Sequence, residues 1–372
     1  MKRFGPTSLV IVLALICAGS ADLMAQQALK AVFSDYFLIG AALNRAQVFE
    51  KDSLSSNIVK THFNTISPEN ALKWGPVHPE PGRYDFKVAD RYVTFGESNR
   101  MVIIGHTLVW HNQTPDWVFK DAKGNLVTRD ELLGRLREHI QTVVGRYKGK
   151  IKGWDVVNEA LNEDGTLRRT MWLKIVGEDY IAKAFQYAHE ADPDAELYYN
   201  DYSLENEPKL KGAVALIRKL KAQGIPVKGV GLQSHNNLTF PTLGQLDHAI
   251  SEFAKLGVRV NITELDVSVL PEPKGFAGAE VTVTFETKKE LDPYTSGLPD
   301  AVQQALAKRY GELFSVFLKH RTEIDRITFW NVTDGNSWLN NFPVRGRTNY
   351  PLLFDRNGKT KPAFDAVIRT VK

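Results

Sequence analysis

Short runs of apolar and β-branched residues alternate along the chain with longer stretches in which apolar residues recur at helical spacing. Such runs are typical of strands that are buried on both faces, as in parallel sheets covered by helices. They fall at residues 37–43, 64–67, 101–108, 153–157, 196–200, 229–234, 258–263 and 326–330. Because each run is followed by a helical stretch, the pattern predicts an α/β fold of the (β/α)8 TIM-barrel type.

Three of the stretches between the strands carry recognisable helix signals. Thr128 and Glu131 have the spacing of a capping box, and Thr242 and Gln245 repeat it. Residues 301–318 place apolar side chains along one side of a third helix. No linker rich in proline, serine and glycine and no internal repeat divides the chain, so we expect a single domain.

The first residues have the pattern of a secretory signal peptide. Lys2 and Arg3 precede an apolar run at residues 9–18, and small residues follow it. The run is too short and wrongly flanked to span a membrane. We therefore expect residues 1–25 to be removed on export. Residues 26–372 would then form a catalytic barrel, free of the membrane, in the periplasm or outside the cell.

The single cysteine of the chain, Cys17, lies inside this leader. The exported chain would contain no cysteine, so disulfide bonds could not stabilise it. Cys17 could alternatively be a lipidation site, but Ile16 stands where a lipoprotein signal has a small residue.

The charge of the chain is modest and dispersed. The formal net charge is +4 at pH 7, and the densest basic group falls on one helical stretch, where we expect a solvated face. Its members are Lys209, Lys211, Arg218, Lys219 and Lys221. This distribution disfavours nucleic acid as a partner.

Polar residues follow the predicted fourth strand directly. The apolar run that begins at Gly153 ends in Asn158 and Glu159, and polar residues at the carboxyl ends of barrel strands point into the active site. Alternatively, Asn158 caps a helix and Glu159 lies in its first turn. Residues 258–266 favour the catalytic interpretation. They repeat the pattern of a β-branched strand that ends in a glutamate, here Glu264 at the end of the seventh strand.

The other strands are followed by residues of similar character. Carboxylates, amides, imidazoles and indoles converge there, which suits a ligand with many hydroxyls and flat apolar ring faces. Carbohydrate fits this description best. The residues that we single out are Glu69, Asn70, Lys73, His106, Trp110, Tyr202, Gln233, His235, Trp330 and Trp338.

Two other chemistries are disfavoured. His106 and His111 are potential metal ligands, but their spacing is not that of a helical His-x-x-x-His pair. A serine hydrolase of the nucleophile-elbow type needs a Gly-x-Ser-x-Gly turn, which is absent around Ser234. We expect neither a metal nor another cofactor.

Taken in order, these stretches resemble the family 10 glycoside hydrolases, which are retaining endo-β-1,4-xylanases. The resemblance extends from about residue 38 to about residue 368, and six motifs in the same order are far more specific than any one of them. The motifs fall at residues 68–74, 105–111, 154–160, 231–235, 262–266 and 329–338. No catalytic position departs from the family pattern; Gly75, where many relatives carry an acidic residue, lies outside the chemistry.

The resemblance implies a role for each site residue. Glu159 would be the acid/base, Glu264 the nucleophile, and Asp266 the partner that orients His235. The residues implied for the subsite one step beyond the reacting ring are Glu69, Asn70, Lys73 and Trp338. Those implied around the reacting ring are His106, Trp110, Asn158, Gln233, His235 and Trp330, and we add Tyr202 to the substrate-binding residues. Retention requires two carboxyl groups about 5 to 5.5 Å apart, one protonated and one ionised.

Some of these residues also have a purely structural interpretation. Each of Trp110, Trp330 and Trp338 could be a core residue, and Lys73 could be an exposed lysine on the helix after the second strand. Residues 271–299 follow the seventh strand and form either a loop with a small hairpin beside the cleft or structural padding over the rim of the barrel.

We therefore predict a secreted, monomeric TIM-barrel endo-β-1,4-xylanase that acts on xylan and xylo-oligosaccharides. The alternative within enzymes is a related retaining barrel that acts on cellulose or mixed-linkage glucan. An alternative from a different functional class is a barrel that has lost catalysis and only binds polysaccharide. In such a protein we expect one of the two carboxylates to be replaced, whereas Glu159 and Glu264 are both present.

Overall fold

A computed structural model describes residues 27–276 and 284–371 of the chain of 372 residues. Nine strands form one sheet, and the paired strands run parallel. Their bounds are β1 Leu38–Leu43, β2 Thr65–Pro68, β3 Val102–Val109, β4 Gly153–Asn158, β5 Glu196–Asp201, β6 Gly229–Leu232, β7 His235–Asn237, β8 Arg259–Ser268 and β9 Ile324–Phe329.

Eight of these strands close into a barrel. Neighbours follow the chain from β1 to β6, and β9 pairs with both β1 and β8. The barrel closes between β6 and β8, where Gly229 lies opposite Arg259. The short β7 adds to the outer half of β8, with His235 opposite Asp266. The predicted (β/α)8 TIM barrel is confirmed.

Helices lie between the strands and cover the barrel. The described α-helices are α1 Leu29–Val32, α2 Arg45–Val48, α3 Ser53–His62, α4 Trp74–Val77, α5 Lys87–Ser98, α6 Arg129–Arg146, α7 Met171–Val176, α8 Tyr180–Ala191, α9 Glu207–Ala222, α10 Leu243–Ala254, α11 Asp300–Lys319 and α12 Pro362–Arg369. The predicted helix starts are found. The Thr128 hydroxyl accepts the backbone N–H of Glu131, and Thr242 and Gln245 make a reciprocal capping box.

The core lies on both sides of the barrel wall. Outside it, the apolar faces of the helices are buried against the strands, as Leu132 and Leu136 of α6 illustrate. Inside it, the guanidinium of Arg326 lies 4.6 Å from the ring centroid of Tyr198. Gly153 leaves room for that ring, because a Cβ there would lie 2.6 Å from it. A filled barrel of this kind holds the carboxyl ends of its strands in fixed positions.

Two expectations from the sequence are corrected. The strand with Glu264 does not end there but continues to Ser268, because its outer half pairs with β7. Lys209 does not lie on a solvated face. It is fully buried, and its Nζ lies 2.9 Å from Oδ1 of Asp201, whereas Lys211 on the same helix is exposed. One basic residue of α9, Lys209, is therefore internal, although the polar pattern of the helix does not distinguish it from the exposed ones.

The stretch 271–299 is described in part. Val281 and Val283, which prompted the prediction of a hairpin, lie outside the described residues. Phe285 makes a parallel bridge with Val344, so this stretch is attached to the loop after β9.

The predicted leader also lies outside the described residues. Among the helices described, none has the length and apolar character needed to cross a membrane.

Candidate active site

The carboxyl ends of the barrel strands surround a cleft with a volume of about 630 Å³. Every residue that the sequence assigned to a site lines this cleft, so the fold brings the whole set together. The set comprises Glu69, Asn70, Lys73, His106, Trp110, Asn158, Glu159, Tyr202, Gln233, His235, Glu264, Asp266, Trp330 and Trp338.

Glu159 follows β4 directly and is buried at the base of the cleft. Its backbone N–H donates to the carbonyl of Asn200 at 2.9 Å. Its carboxyl group accepts hydrogen bonds from Trp110 at 2.9 Å, Gln233 at 3.0 Å and Asn158 at 3.2 Å. Asn158 ends the strand and the next helix, α7, begins well beyond it, so the alternative of a helix cap is wrong.

Glu264 lies inside β8 with its side chain buried. Oε1 accepts a hydrogen bond of 2.8 Å from Nδ2 of Asn200, and Oε2 lies 3.3 Å from Nε2 of His235. Burial raises the pKa of Glu264, but the hydrogen bond and the positive charge of His235 help to outweigh it, and the net pKa lies below its ordinary value. Glu264 is therefore held as a carboxylate, the form in which it can act as a nucleophile.

His235 is placed between two carboxylates. Its Nδ1 lies 3.0 Å from Oδ2 of Asp266. Burial lowers the pKa of His235, but the opposing effects of Asp266 and Glu264 are larger, and the net pKa is raised to about 10. At neutral pH both ring nitrogens therefore carry protons. The same Oδ2 accepts a hydrogen bond of 2.8 Å from the indole of Trp338, so Asp266 fixes an imidazole and an indole together.

Three amides connect the two glutamates. Gln233 donates to Glu159 and, at 3.2 Å, to the side-chain oxygen of Asn158. Asn200 donates to that same oxygen at 2.9 Å and to Glu264 at 2.8 Å. This chain of hydrogen bonds fixes both carboxyl groups relative to one another.

A second group of charges lies at the β2 side of the cleft. Nζ of Lys73 donates to Asn70 at 3.0 Å and lies 4.8 Å from the ring centroid of Trp110. Burial lowers the pKa of Lys73, although the charges of Glu264 and Glu69 oppose this. Burial also raises the pKa of Glu69. Lys73 is buried, so its interpretation as an exposed helix lysine is wrong.

Trp330 stands edge-on to two imidazoles. Its ring centroid lies 5.5 Å from that of His106 and 6.3 Å from that of His235. Nδ1 of His106 is 3.0 Å from Oδ2 of Asp155 inside the barrel. Within the described ranges, no three His, Cys, Asp or Glu side chains are grouped so that they could hold a metal.

Tyr202 follows β5 and lines the opposite side of the cleft. Its hydroxyl accepts a hydrogen bond of 2.8 Å from Nη2 of Arg168, and Nζ of Lys209 lies 3.2 Å from the centroid of its ring. Burial and a hydrogen bond to Glu163 raise the pKa of Tyr202, so the hydroxyl stays protonated.

Sequence reasoning missed several residues of the site. Asn200 was within reach, since it lies at the carboxyl end of β5, one residue before the last, as Asn158 lies at the carboxyl end of β4. Gln113 also lines the cleft, with Nε2 3.4 Å from Asn70. Phe276 and Phe342 line it from irregular loops, where neither spacing nor neighbours mark an aromatic as part of a site.

A buried carboxylate, a second carboxyl group tied to it by amides, and indoles beside them are the groups that a site for cleaving an acetal bond between sugars requires. The fold and the site together are those of a glycoside hydrolase. The family model of glycosyl hydrolase family 10 matches residues 28–370, and the chain belongs to that family. The family resemblance seen in the sequence is confirmed.

The chain is similar to proteins of this family in sequence and in structure. It is 46% identical over 344 residues to endo-1,4-beta-xylanase A of Xylanibacter ruminicola, which covers 92% of this chain and 93% of that protein. A solved family 10 endoxylanase from a sugarcane soil metagenome is 45% identical, with a TM-score of 0.89 and 92% and 99% of the two chains covered. A solved Paenibacillus barcinonensis xylanase, in complex with a conduramine derivative, is 40% identical, with a TM-score of 0.82 and coverage of 92% and 98%.

Proposed function

We propose that this chain is a retaining endo-1,4-β-xylanase in which Glu159 is the acid/base and Glu264 the nucleophile. The observation that carries the proposal is the unequal environment of the two glutamates. Glu264 is paired with the cationic His235, whereas Glu159 accepts its hydrogen bonds from neutral indole and amide groups. The similarity to xylanases at 46% and 42% identity supports xylan as the substrate.

The first step transfers the sugar to the enzyme. The protonated carboxyl of Glu159 gives its proton to the glycosidic oxygen as the bond to the anomeric carbon breaks. The carboxylate of Glu264 attacks that carbon from the opposite face and forms a covalent glycosyl-enzyme. His235 keeps Glu264 ionised until this point.

The second step returns Glu264 to its starting state. Glu159, now a carboxylate, takes a proton from a water molecule, which attacks the anomeric carbon and displaces Glu264. Two inversions give net retention, and the product leaves with the β configuration. Asn158, joined to Gln233 and Asn200, can hydrogen-bond a hydroxyl of the reacting ring in both steps.

The remaining residues of the cleft hold the polysaccharide. We assign Glu69, Asn70, Lys73 and Trp338 to the subsite one step beyond the reacting ring. His106, Trp110, Gln233 and Trp330 surround the reacting ring, and Tyr202 contacts the leaving part of the chain. Indole and phenol rings suit pyranose faces, while amides and charged groups bind their hydroxyls.

We further propose that the enzyme is exported as a monomer. The basic and apolar pattern of residues 1–18 supports export. Expression of the full chain in a secreting host tests this: the exported enzyme should have the mass expected for residues 26–372 and sediment as one chain. Active full-length enzyme confined to the cytoplasm would contradict the export.

The activity itself is tested on three polysaccharides at equal mass: xylan, cellulose and mixed-linkage glucan. We expect reducing ends and an early fall in viscosity with xylan, and the β anomer as the first product in a time-resolved NMR spectrum. Glu264→Ala serves as the inactive control. Equal release from cellulose contradicts the substrate, and the α anomer as first product contradicts the mechanism.

A further inference from the structure

The loop after β4 folds back so that Arg168 returns to the end of that strand. Leu161 and Leu167 form an antiparallel bridge, and the backbone N–H of Arg168 donates to the carbonyl of Ala160 at 2.7 Å. At the tip, Gly165 packs so closely on α9 that a Cβ there would lie 2.3 Å from the helix backbone. The loop is therefore anchored at its base and at its tip.

The guanidinium of Arg168 holds three acceptors from two strand ends. Nε donates to the backbone carbonyl of Glu159 at 3.1 Å. Nη2 donates to the carbonyl of Leu161 at 3.1 Å and to the hydroxyl of Tyr202 at 2.8 Å. The planar group has fixed donor directions, so it ties the backbone at the proposed acid/base to the far wall of the cleft.

This contact falls on a strained residue. Glu159 has φ of +56°, a left-handed conformation that is unfavourable for a residue with a side chain and persists only where the surroundings enforce it. Trp110 and Gln233 hold the side-chain carboxyl group of Glu159, and Arg168 holds its backbone carbonyl. Relaxation of the backbone would move the carboxyl group, and a misplacement of about 1 Å can cost roughly 100-fold in rate.

We propose that Arg168 is a positioning residue for Glu159. It keeps the strained backbone in place, so that the carboxyl reaches the glycosidic oxygen in the first step and the water in the second. Arg168 does not line the cleft in the described part of the chain and therefore acts through Glu159 and Tyr202. This inference rests on the proposed acid/base role of Glu159.

A series of aryl xylobiosides tests the proposal, because every member places an aromatic ring beside Tyr202 and only the need for a proton changes. In Arg168→Met, kcat/KM should stay within about threefold of the original for the dinitrophenyl substrate and fall about 10- to 100-fold for the phenyl substrate. Arg168→Lys keeps the positive charge but not the planar guanidinium. Its loss of kcat/KM on the phenyl substrate should lie between that of the original enzyme and that of Arg168→Met. Arg169→Met is the matched control, since Arg169 is the next residue and exposed.

Glu159→Ala in the same series separates the two proposals. A steep dependence on the leaving group in Glu159→Ala, with equal loss across the series in both Arg168 variants, overturns the positioning role and leaves the acid/base role intact. Equal loss across the series in Glu159→Ala overturns the acid/base role itself. If circular dichroism shows that Arg168→Met does not fold, Arg168→Lys decides by the same slope.

Discussion

Nε2 of His235 lies 3.3 Å from Oε2 of Glu264, while the other nitrogen of the ring faces Asp266 at 3.0 Å. One protonated imidazole thus compensates two carboxylates that are both buried. Without this cation, burial would favour the neutral acid at Glu264. The relationship makes His235 the main control of the charge on the proposed nucleophile.

The pH profile of His235→Asn tests this control. The acid limb of kcat/KM reports the ionisation of the nucleophile in the free enzyme, and we expect its midpoint below the ordinary carboxyl pKa of 4.5. Removing the imidazolium leaves burial to raise the pKa of Glu264, so the limb should move to higher pH. An unchanged acid limb in a folded His235→Asn would contradict the role.

Chemical rescue tests Glu264 directly. Glu264→Ala should lose turnover on every substrate while its thermal unfolding stays close to that of the original enzyme. Azide, a small nucleophile that fits the vacated space, should restore part of the activity on an activated aryl xylobioside and give the inverted glycosyl azide. Near-normal rates without azide would exclude a covalent role for this residue.

The barrel and its rim could be predicted because both are local in the sequence. Buried parallel strands appear as apolar runs, and Asn158 and Glu159 stand where such a run stops. Glu264 was identified by the same pattern, although its strand continues to Ser268. That extension depends on β7, a partner strand too short to produce a pattern of its own.

Other features could not be predicted because they depend on contacts between distant segments. Lys209 looks like its exposed neighbours on α9, and only its ion pair with Asp201 at the end of β5 makes it internal. The contact of Arg168 with Glu159 requires the path of a loop rather than a spacing. Phe342 joins the cleft because its loop stacks it on Trp338, with centroids 4.9 Å apart and planes at 13°.

The buried pair of Lys209 and Asp201 predicts a large loss of stability in Lys209→Met. Both side chains are fully buried, and removing one partner of such a pair typically costs about 3–5 kcal/mol. The matched control is Lys211→Met on the same helix, whose surface ion pair with Glu207 should contribute less than about 1 kcal/mol. Urea unfolding at pH 7 measures both, and equal losses would contradict the internal ion pair.

The same variant should show a distinct pH dependence. Burial raises the pKa of Asp201 to about 6 even with Lys209 present, and loss of the ammonium raises it further. A carboxyl whose folded pKa lies above its unfolded value is neutral, and least costly to bury, at low pH. The stability deficit of Lys209→Met should therefore shrink between pH 7 and pH 5, and a deficit that grows would contradict this account.

The last prediction concerns the sugar that the cleft accepts. Xylose differs from glucose by lacking the hydroxymethyl group on C5, so a site can prefer it only by leaving no room for that group. Trp338 is a stiff wall, because Asp266 holds its indole nitrogen at 2.8 Å and Phe342 stacks on its face. One group gained or lost in a pocket is typically worth about 1–3 kcal/mol, or roughly 10- to 200-fold.

We therefore expect aryl xylobiosides to exceed aryl cellobiosides by at least about tenfold in kcat/KM, without complete exclusion of the glucoside. Trp338→Ala should narrow the ratio mainly by raising the cellobioside rate, since the variant opens space that only the larger sugar uses. Phe342→Leu, which loosens the wall without removing it, should narrow the ratio less. If the unmodified enzyme hydrolyses both substrates equally well, the Trp338 indole does not discriminate between the two sugars. The assignment to xylan would then be wrong, and a cellulose-active enzyme of the same fold would replace it.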